Sequence, residues 1–121
     1  MNGYAPDMLF GCDEELLDGL RIGCRGAVGS SYNFSAPLYR RIISSFDEGD
    51  TEAAQRDQAR SAEMIRTIAK YNYTPAAKSV MAMVGVDCGP ARPPLCTLSQ
   101  ESIGNLKLDL EKIGFFDWVN S

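Results

Sequence analysis

The stretch from Met8 to Asn33 limits the possible folds of this chain more than any other. Met8, Leu9 and Phe10 form a short apolar run that stops at Gly11, as a buried strand does where a loop begins at its carboxyl end. Asp13 follows as an expected helix N-cap, Leu16, Leu17 and Leu20 recur at helical spacing, and Gly23 stands where a left-handed stop is needed after Ile22. A second strand is expected around Ala27 and Val28, broken at Gly29 before Ser30, Ser31, Tyr32 and Asn33. Strand, short helical crossover and strand make a parallel, right-handed pair. Both strands then end in polar residues on the same rim, and that rim is where α/β proteins bind ligands.

From the residues alone, two readings of this rim stand side by side. Asp13 and Glu14 are acids at a helix start, where the dipole favours negative charge by roughly 0.3 to 1 kcal/mol. They are equally a pair of carboxylates able to accept hydrogen bonds from a polyhydroxylated ligand. Gly11 and Gly29 end strands, and they also leave backbone open to a ligand packed against it.

The string GCDEELLDGLRIGCRGAVGSSYN at 11 to 33 resembles the last two barrel strands of the N-acetylneuraminate lyases, within the dihydrodipicolinate synthase superfamily, whose rims read GxDE and GSTYN. The resemblance continues through FDEGD at 46 to 50, TPAAK at 74 to 78 and RPPL at 92 to 95, so it covers nearly the whole chain. Cys12 departs from the pattern where an aromatic residue is common, and Cys24-Arg25 stands in place of Ala-Asp. The resemblance implies an α/β fold: residues 1–48 as the last two β/α units of a (β/α)8 barrel and residues 49–121 as a C-terminal extension of three helices.

Such a barrel needs about 250 residues, whereas this chain has 121. The expectation is therefore a C-terminal portion. The lysine that forms the pyruvate Schiff base, the proton-shuttling tyrosine and the loop that holds the pyruvate carboxylate all lie, in the family, ahead of the matched segment. What the resemblance implies for the chain is substrate binding by Gly11, Asp13, Glu14, Gly29 and Ser30, with no catalytic residue among its own and little activity alone. The family reaction is the reversible, cofactor-independent and metal-independent cleavage of a sialic acid to N-acetylmannosamine and pyruvate. The implied partners are thus a sugar acid, pyruvate and, in the full-length form, further copies in a tetramer. Two alternatives remain: another pyruvate-dependent aldolase of the superfamily, and a non-catalytic helical module that docks on a full-length lyase.

The rest of the chain reads as helices. The first seven residues form an entry loop containing Gly3 and Pro6. A helix is expected over 36–46, with Leu38, Ile42, Ile43 and Phe46 on one face, ended by Gly49. Asp50 caps a long helix over 51–70, with Ala54, Ser61, Ile65 and Ile68 as its buried stripe. Thr74 and Pro75 are expected to open a shorter helix that ends near Gly85. The segment 86–97, with Gly89, Pro90, Pro93 and Pro94, is irregular. Ser99 caps a last helix carrying Ile103, Leu106, Leu110 and Ile113, and Phe115, Phe116, Trp118 and Val119 form an apolar tail that needs covering.

Composition removes several function classes. A net charge of -4 gives no electrostatic reason for a nucleic-acid partner. No apolar run has membrane-spanning length and no export signal is evident, so the expected compartment is the cytoplasm, with Cys12, Cys24, Cys88 and Cys96 reduced. The absence of histidine excludes a Ser-His-Asp triad and a histidine-held zinc. Of the lysines, Lys70, Lys107 and Lys112 read as solvated, and Lys78 as a stem lying along an apolar helix face.

Overall fold

The computed structural model describes residues 6–120, so most of the expected entry loop lies outside the described residues. Its elements in order are β1 (Leu9–Phe10), a 3-10 turn (Asp13–Glu15), α1 (Leu16–Arg21), β2 (Gly26–Ala27), α2 (Tyr32–Asp47), α3 (Thr51–Ala69), α4 (Tyr73–Met83), α5 (Gln100–Lys112) and α6 (Phe115–Trp118). The chain is mostly helical, with one pair of parallel strands in the register Leu9 to Gly26 and Phe10 to Ala27. β2 sits one residue earlier than the apolar pattern suggests. Val28 still extends the ladder, donating its N–H to the Phe10 carbonyl at 2.9 Å, but its side chain is 63 % exposed.

α3 is the hub of the packing: it lies along α2 and also meets the 3-10 turn, α1, α4 and α5. Leu16, Leu38, Ile42, Met64, Ile68, Val80, Leu106, Leu110 and Phe115 are fully buried between these helices. Each aliphatic side chain so buried contributes about 1.5 to 3 kcal/mol of transfer free energy. The stripe of α3 is wider than the pattern suggests, because Asp57, Met64 and Thr67 are buried beside Ala54, Ser61 and Ile68. Asp57 does not stand unpaired there: Arg41 Nε of α2 reaches it at 3.2 Å and Arg60 Nη1 at 2.9 Å.

The local signals for helix ends are mostly obeyed. Asp50 accepts from the Ala53 N–H at 3.0 Å and Ser99 from the Ser102 N–H at 3.1 Å, each satisfying a first-turn donor. Gly114 adopts φ 78°, a left-handed conformation that reverses the chain after α5. That reversal folds the tail back onto the core, so Phe115, Trp118 and Val119 are buried within the chain itself and the expected uncovered apolar tail does not exist. Arg41 fixes it by donating from Nη2 to the Trp118 carbonyl at 2.8 Å.

Four local expectations are corrected. Asp13 is no N-cap: it lies inside the 3-10 turn, and no side chain caps that turn or α1. α2 begins at Tyr32 rather than Ala36, because one helical turn precedes a kink at Ser35 (φ -142°, ψ 28°). The kink puts Pro37 in the first turn of the second segment, where a missing N–H costs nothing. On the buried face of α2, Tyr39 takes the place expected for Ile43, which is at the exposed margin. Asn72, at φ 65°, rather than Thr74, stands at the start of α4.

Candidate functional site

β1 and β2 deliver their carboxyl ends side by side, and a pocket of about 250 Å³ opens between them. All five residues expected at the rim line it: Gly11, Asp13 and Glu14 from the first strand end, Gly29 and Ser30 from the second. α3 adds Ile65 to its wall and α4 adds Tyr73.

The two carboxylates sit differently. Asp13 is 6 % exposed, and its Oδ2 accepts from both the N–H and the hydroxyl of Ser31. Gly29 has to be glycine beside it, because a Cβ there would overlap the Asp13 carboxylate, Oδ1 foremost. Glu14 is exposed and turned to solvent. Ser30 is also exposed, its hydroxyl 2.9 Å from the Tyr73 phenol oxygen, and the Asn33 amide donates to the Ser30 carbonyl at 3.0 Å.

Behind the rim a closed ring of polar contacts ties three elements together. From Asp13 Oδ2 it passes through Ser31 Oγ to the Tyr39 hydroxyl at 2.6 Å, then to Ser61 Oγ at 2.9 Å. Ser61 donates back to the Asp13 carbonyl at 3.1 Å; with Ser31 and Ser61 both donating to Asp13, the Tyr39 hydroxyl donates to one of its two serine neighbours at a time. Gln58 of α3 braces the turn from outside the ring, donating to the Asp13 carbonyl at 3.2 Å and accepting from the Leu17 N–H at 2.7 Å. A ring this buried stiffens the turn that carries Glu14, since every group in it has a partner. Ser31, Tyr39, Gln58 and Ser61 were not among the expected site residues. Ser61 carried a signal as a small residue in the α3 stripe, and Ser31 as a member of the polar rim string after Gly29.

The electrostatics follow burial. Burial pushes the Tyr39 phenol up to about 12; the Asp13 charge adds to this and the Ser31 and Ser61 contacts oppose it. Desolvation also raises Tyr73, and it raises Tyr32 further, with Asp13 again adding. Desolvation and then the carboxylates of Glu14 and Glu15 push the Cys12 thiol up to about 11, so this rim cysteine is a protonated, weakly nucleophilic thiol at neutral pH. The Tyr32 ring packs against Tyr39 with centroids 4.2 Å apart and planes tilted by 55°, yet its hydroxyl is buried without a hydrogen-bond partner among the described residues. Among the described residues no cluster of acids and cysteines could hold a metal ion, and no helix is long and apolar enough to cross a membrane.

Residues 6–113 match the Dihydrodipicolinate synthetase family. N-acetylneuraminate lyase of Rattus norvegicus is 33% identical over 113 residues, which cover 92% of this chain and 35% of that protein. The enzyme of the same name from Gallus gallus is 36% identical over 107 residues, covering 87% of this chain and 35% of its own length. Among solved structures, Proteus mirabilis N-acetylneuraminate lyase superposes with a TM-score of 0.87 at 33% identity, over 95% of this chain and 39% of that one. The chain thus spans about a third of the length of the curated relatives it matches. With 108 of its 121 residues inside the family match, the chain belongs to the Dihydrodipicolinate synthetase family of lyases and aldolases.

Proposed function

We propose that this chain is the sugar-binding side of an N-acetylneuraminate lyase-like Schiff-base aldolase, which cleaves a sialic acid reversibly to N-acetylmannosamine and pyruvate. The observation that carries the reading is the convergence of Gly11, Asp13, Glu14, Gly29 and Ser30, from two parallel strand ends, on one pocket. In this reading Glu14 accepts hydrogen bonds from the hydroxyls of the polyol chain, and Ser30 donates or accepts as the adjacent hydroxyl requires. Asp13 offers Oδ1, which no described residue engages, while Oδ2 holds Ser31. The two glycines let the sugar approach the backbone. Residues 1–48 then belong to the barrel and 49–121 to its helical extension, and the six strands that complete the barrel bring the Schiff-base lysine and the proton-shuttling tyrosine. The assembled enzyme is a cytoplasmic tetramer working without metal or organic cofactor.

Calorimetric titration of the chain with N-acetylmannosamine tests the reading directly. Glu14→Ala is expected to weaken binding roughly 10- to 150-fold, the worth of one hydrogen bond to a charged group. Pyruvate with borohydride is expected to leave the mass of the chain unchanged. Sugar binding indifferent to Glu14, or a reduced pyruvate adduct on Lys78, would overturn the proposal.

A further inference from the structure

Between α4, α5 and the segment 86–97 lies a cavity of about 580 Å³, which has no residue in common with the rim pocket. Its irregular wall is pinned in place. The Val86 N–H donates to the Met81 carbonyl of α4 at 2.9 Å, the Gly89 N–H donates to Asp87 Oδ1 at 2.8 Å, and Ala91 is buried. Pro75, Met83, Ala91 and Ile103 give the cavity an apolar body, and Ser79, Thr97 and Gln100 add uncharged hydrogen-bonding groups. Two opposite charges complete the lining: Lys78 of α4, half-buried, and Asp87 of the segment, exposed. They form no ion pair with each other or with any other described residue, which leaves both open to a ligand.

We infer that this cavity binds a zwitterionic α-amino acid with an apolar side chain, its carboxylate meeting the Lys78 ammonium, its ammonium meeting the Asp87 carboxylate, and its side chain lying on Met83, Ala91 and Ile103. The pair of charges selects this class. A simple carboxylate or a phosphate ester is drawn to Lys78 but repelled by Asp87, and for a simple amine the signs are reversed. A sugar would press hydroxyls against apolar walls that cannot replace their hydration, and burying a polar group without a partner is costly. A zwitterion meets each charged wall with its opposite and leaves only its side chain for the apolar body. Each methylene so buried is worth about fourfold in affinity. The volume falls within the range of about 300 to 1,000 Å³ usual for small-molecule sites. Because none of the rim residues takes part, this site stands or falls apart from the sugar-binding reading.

Calorimetric titration of the chain with L-leucine tests the inference beside three probes that each lack one feature of it. 4-Methylpentanoate lacks the ammonium, 3-methylbutan-1-amine lacks the carboxylate, and glycine lacks the side chain. Leucine is expected to bind about tenfold more tightly than the amine, about threefold more tightly than the pentanoate because Asp87 is the more exposed partner, and roughly a hundredfold more tightly than glycine. Two substitutions should reproduce those losses one at a time, with circular dichroism reporting that each variant is folded. Lys78→Met keeps the apolar stem and should lower leucine affinity about tenfold without weakening the amine. Asp87→Asn keeps an acceptor for the Gly89 N–H and should lower leucine affinity about threefold without weakening the pentanoate. Absence of leucine binding, leucine no tighter than both truncated probes, or leucine binding that neither substitution changes would each overturn the inference.

Discussion

Two pairs of neighbouring residues face each other across the strand ends, and in each pair one member turns inward and the other outward. Asp13 and Ser31 are buried and hydrogen-bonded to each other, while Glu14 and Ser30, one residue away, are exposed. The chemistry is the same on both sides, a carboxylate and a hydroxyl, so residue type does not explain the division. The inward pair is closed by Tyr39 and Ser61 into a ring where each polar group has its partner. The outward pair has the exposed Ser30–Tyr73 contact, and its Glu14 carboxylate stays open to solvent beside the Cys12 thiol. The difference teaches that a rim can be stiffened by one acid and left open for ligand by the next, with stability and recognition assigned to adjacent positions.

The sharpest way to break that contrast is at Asp13. Asp13→Ala removes the acceptor of two bonds and leaves the Ser31 N–H and hydroxyl buried without it, a loss of about 3 kcal/mol in unfolding free energy. Glu14→Ala, in exposed surface, should stay within about 0.5 kcal/mol of the unsubstituted chain. Urea denaturation of the two variants side by side measures the gap, and equal midpoints would erase the distinction. Gly29→Ala comes next, at about 2 kcal/mol, because its Cβ would meet the Asp13 carboxylate and push it off Ser31. A Gly29→Ala chain as stable as the original would mean that the carboxylate moves aside freely and that the ring is loose.

Tyr39→Phe is expected to cost about 1 kcal/mol, the net worth of the one hydrogen bond its hydroxyl donates. The same phenol sets an alkaline limit. Its folded value is pushed up to about 12 against an ordinary 10, so the folded state holds the proton longer than the unfolded one. Its contribution is therefore complete below about pH 10 and is lost as pH rises toward 12. Stability measured from pH 9 to 12 should fall more steeply for the unsubstituted chain than for Tyr39→Phe, and parallel slopes would refute the assignment.

Part of this was legible in the sequence and part was not, for physical reasons. The Asp50 and Ser99 caps and the stop at Gly114 are local: each needs only a side chain and a backbone donor within three residues, or one left-handed φ. That the five rim residues would lie together was legible because strand ends of a parallel pair must share an edge, whereas their role toward a substrate was implied only by the family resemblance. The ring was not legible, because Tyr39 and Ser61 meet 22 residues apart across two helices, and the small-residue stripe that marks Ser61 as buried does not name its partner. Asp13 misled for a related reason: a first-turn acid suits an N-cap equally well, and only the position of Ser31, 18 residues on, turns it inward. The early start of α2 was hidden by Pro37, which advertises a helix beginning near itself and conceals the turn before the Ser35 kink.

The smallest expected effect isolates what the ring contributes, because Tyr32 is a control that nature placed in contact with Tyr39. Their rings lie 4.2 Å apart on the same helix, and both phenols are raised by desolvation. Their hydroxyls differ in partners: the Tyr39 hydroxyl lies within hydrogen-bond distance of Ser31 and Ser61, and the Tyr32 hydroxyl, also buried, has none among the described residues. Removing a satisfied hydroxyl loses its bonds, whereas removing an orphan relieves a desolvation penalty of about 1 to 3 kcal/mol that the folded state otherwise bears. Tyr32→Phe should therefore leave stability unchanged or raise it by up to about 1 kcal/mol, the opposite sign to Tyr39→Phe, in a substitution that keeps the packed ring. Thermal denaturation of the two single variants reads this out. A loss of 1 kcal/mol or more in Tyr32→Phe would mean that its hydroxyl finds a partner in solution, and the contrast between satisfied and orphaned phenols would then dissolve.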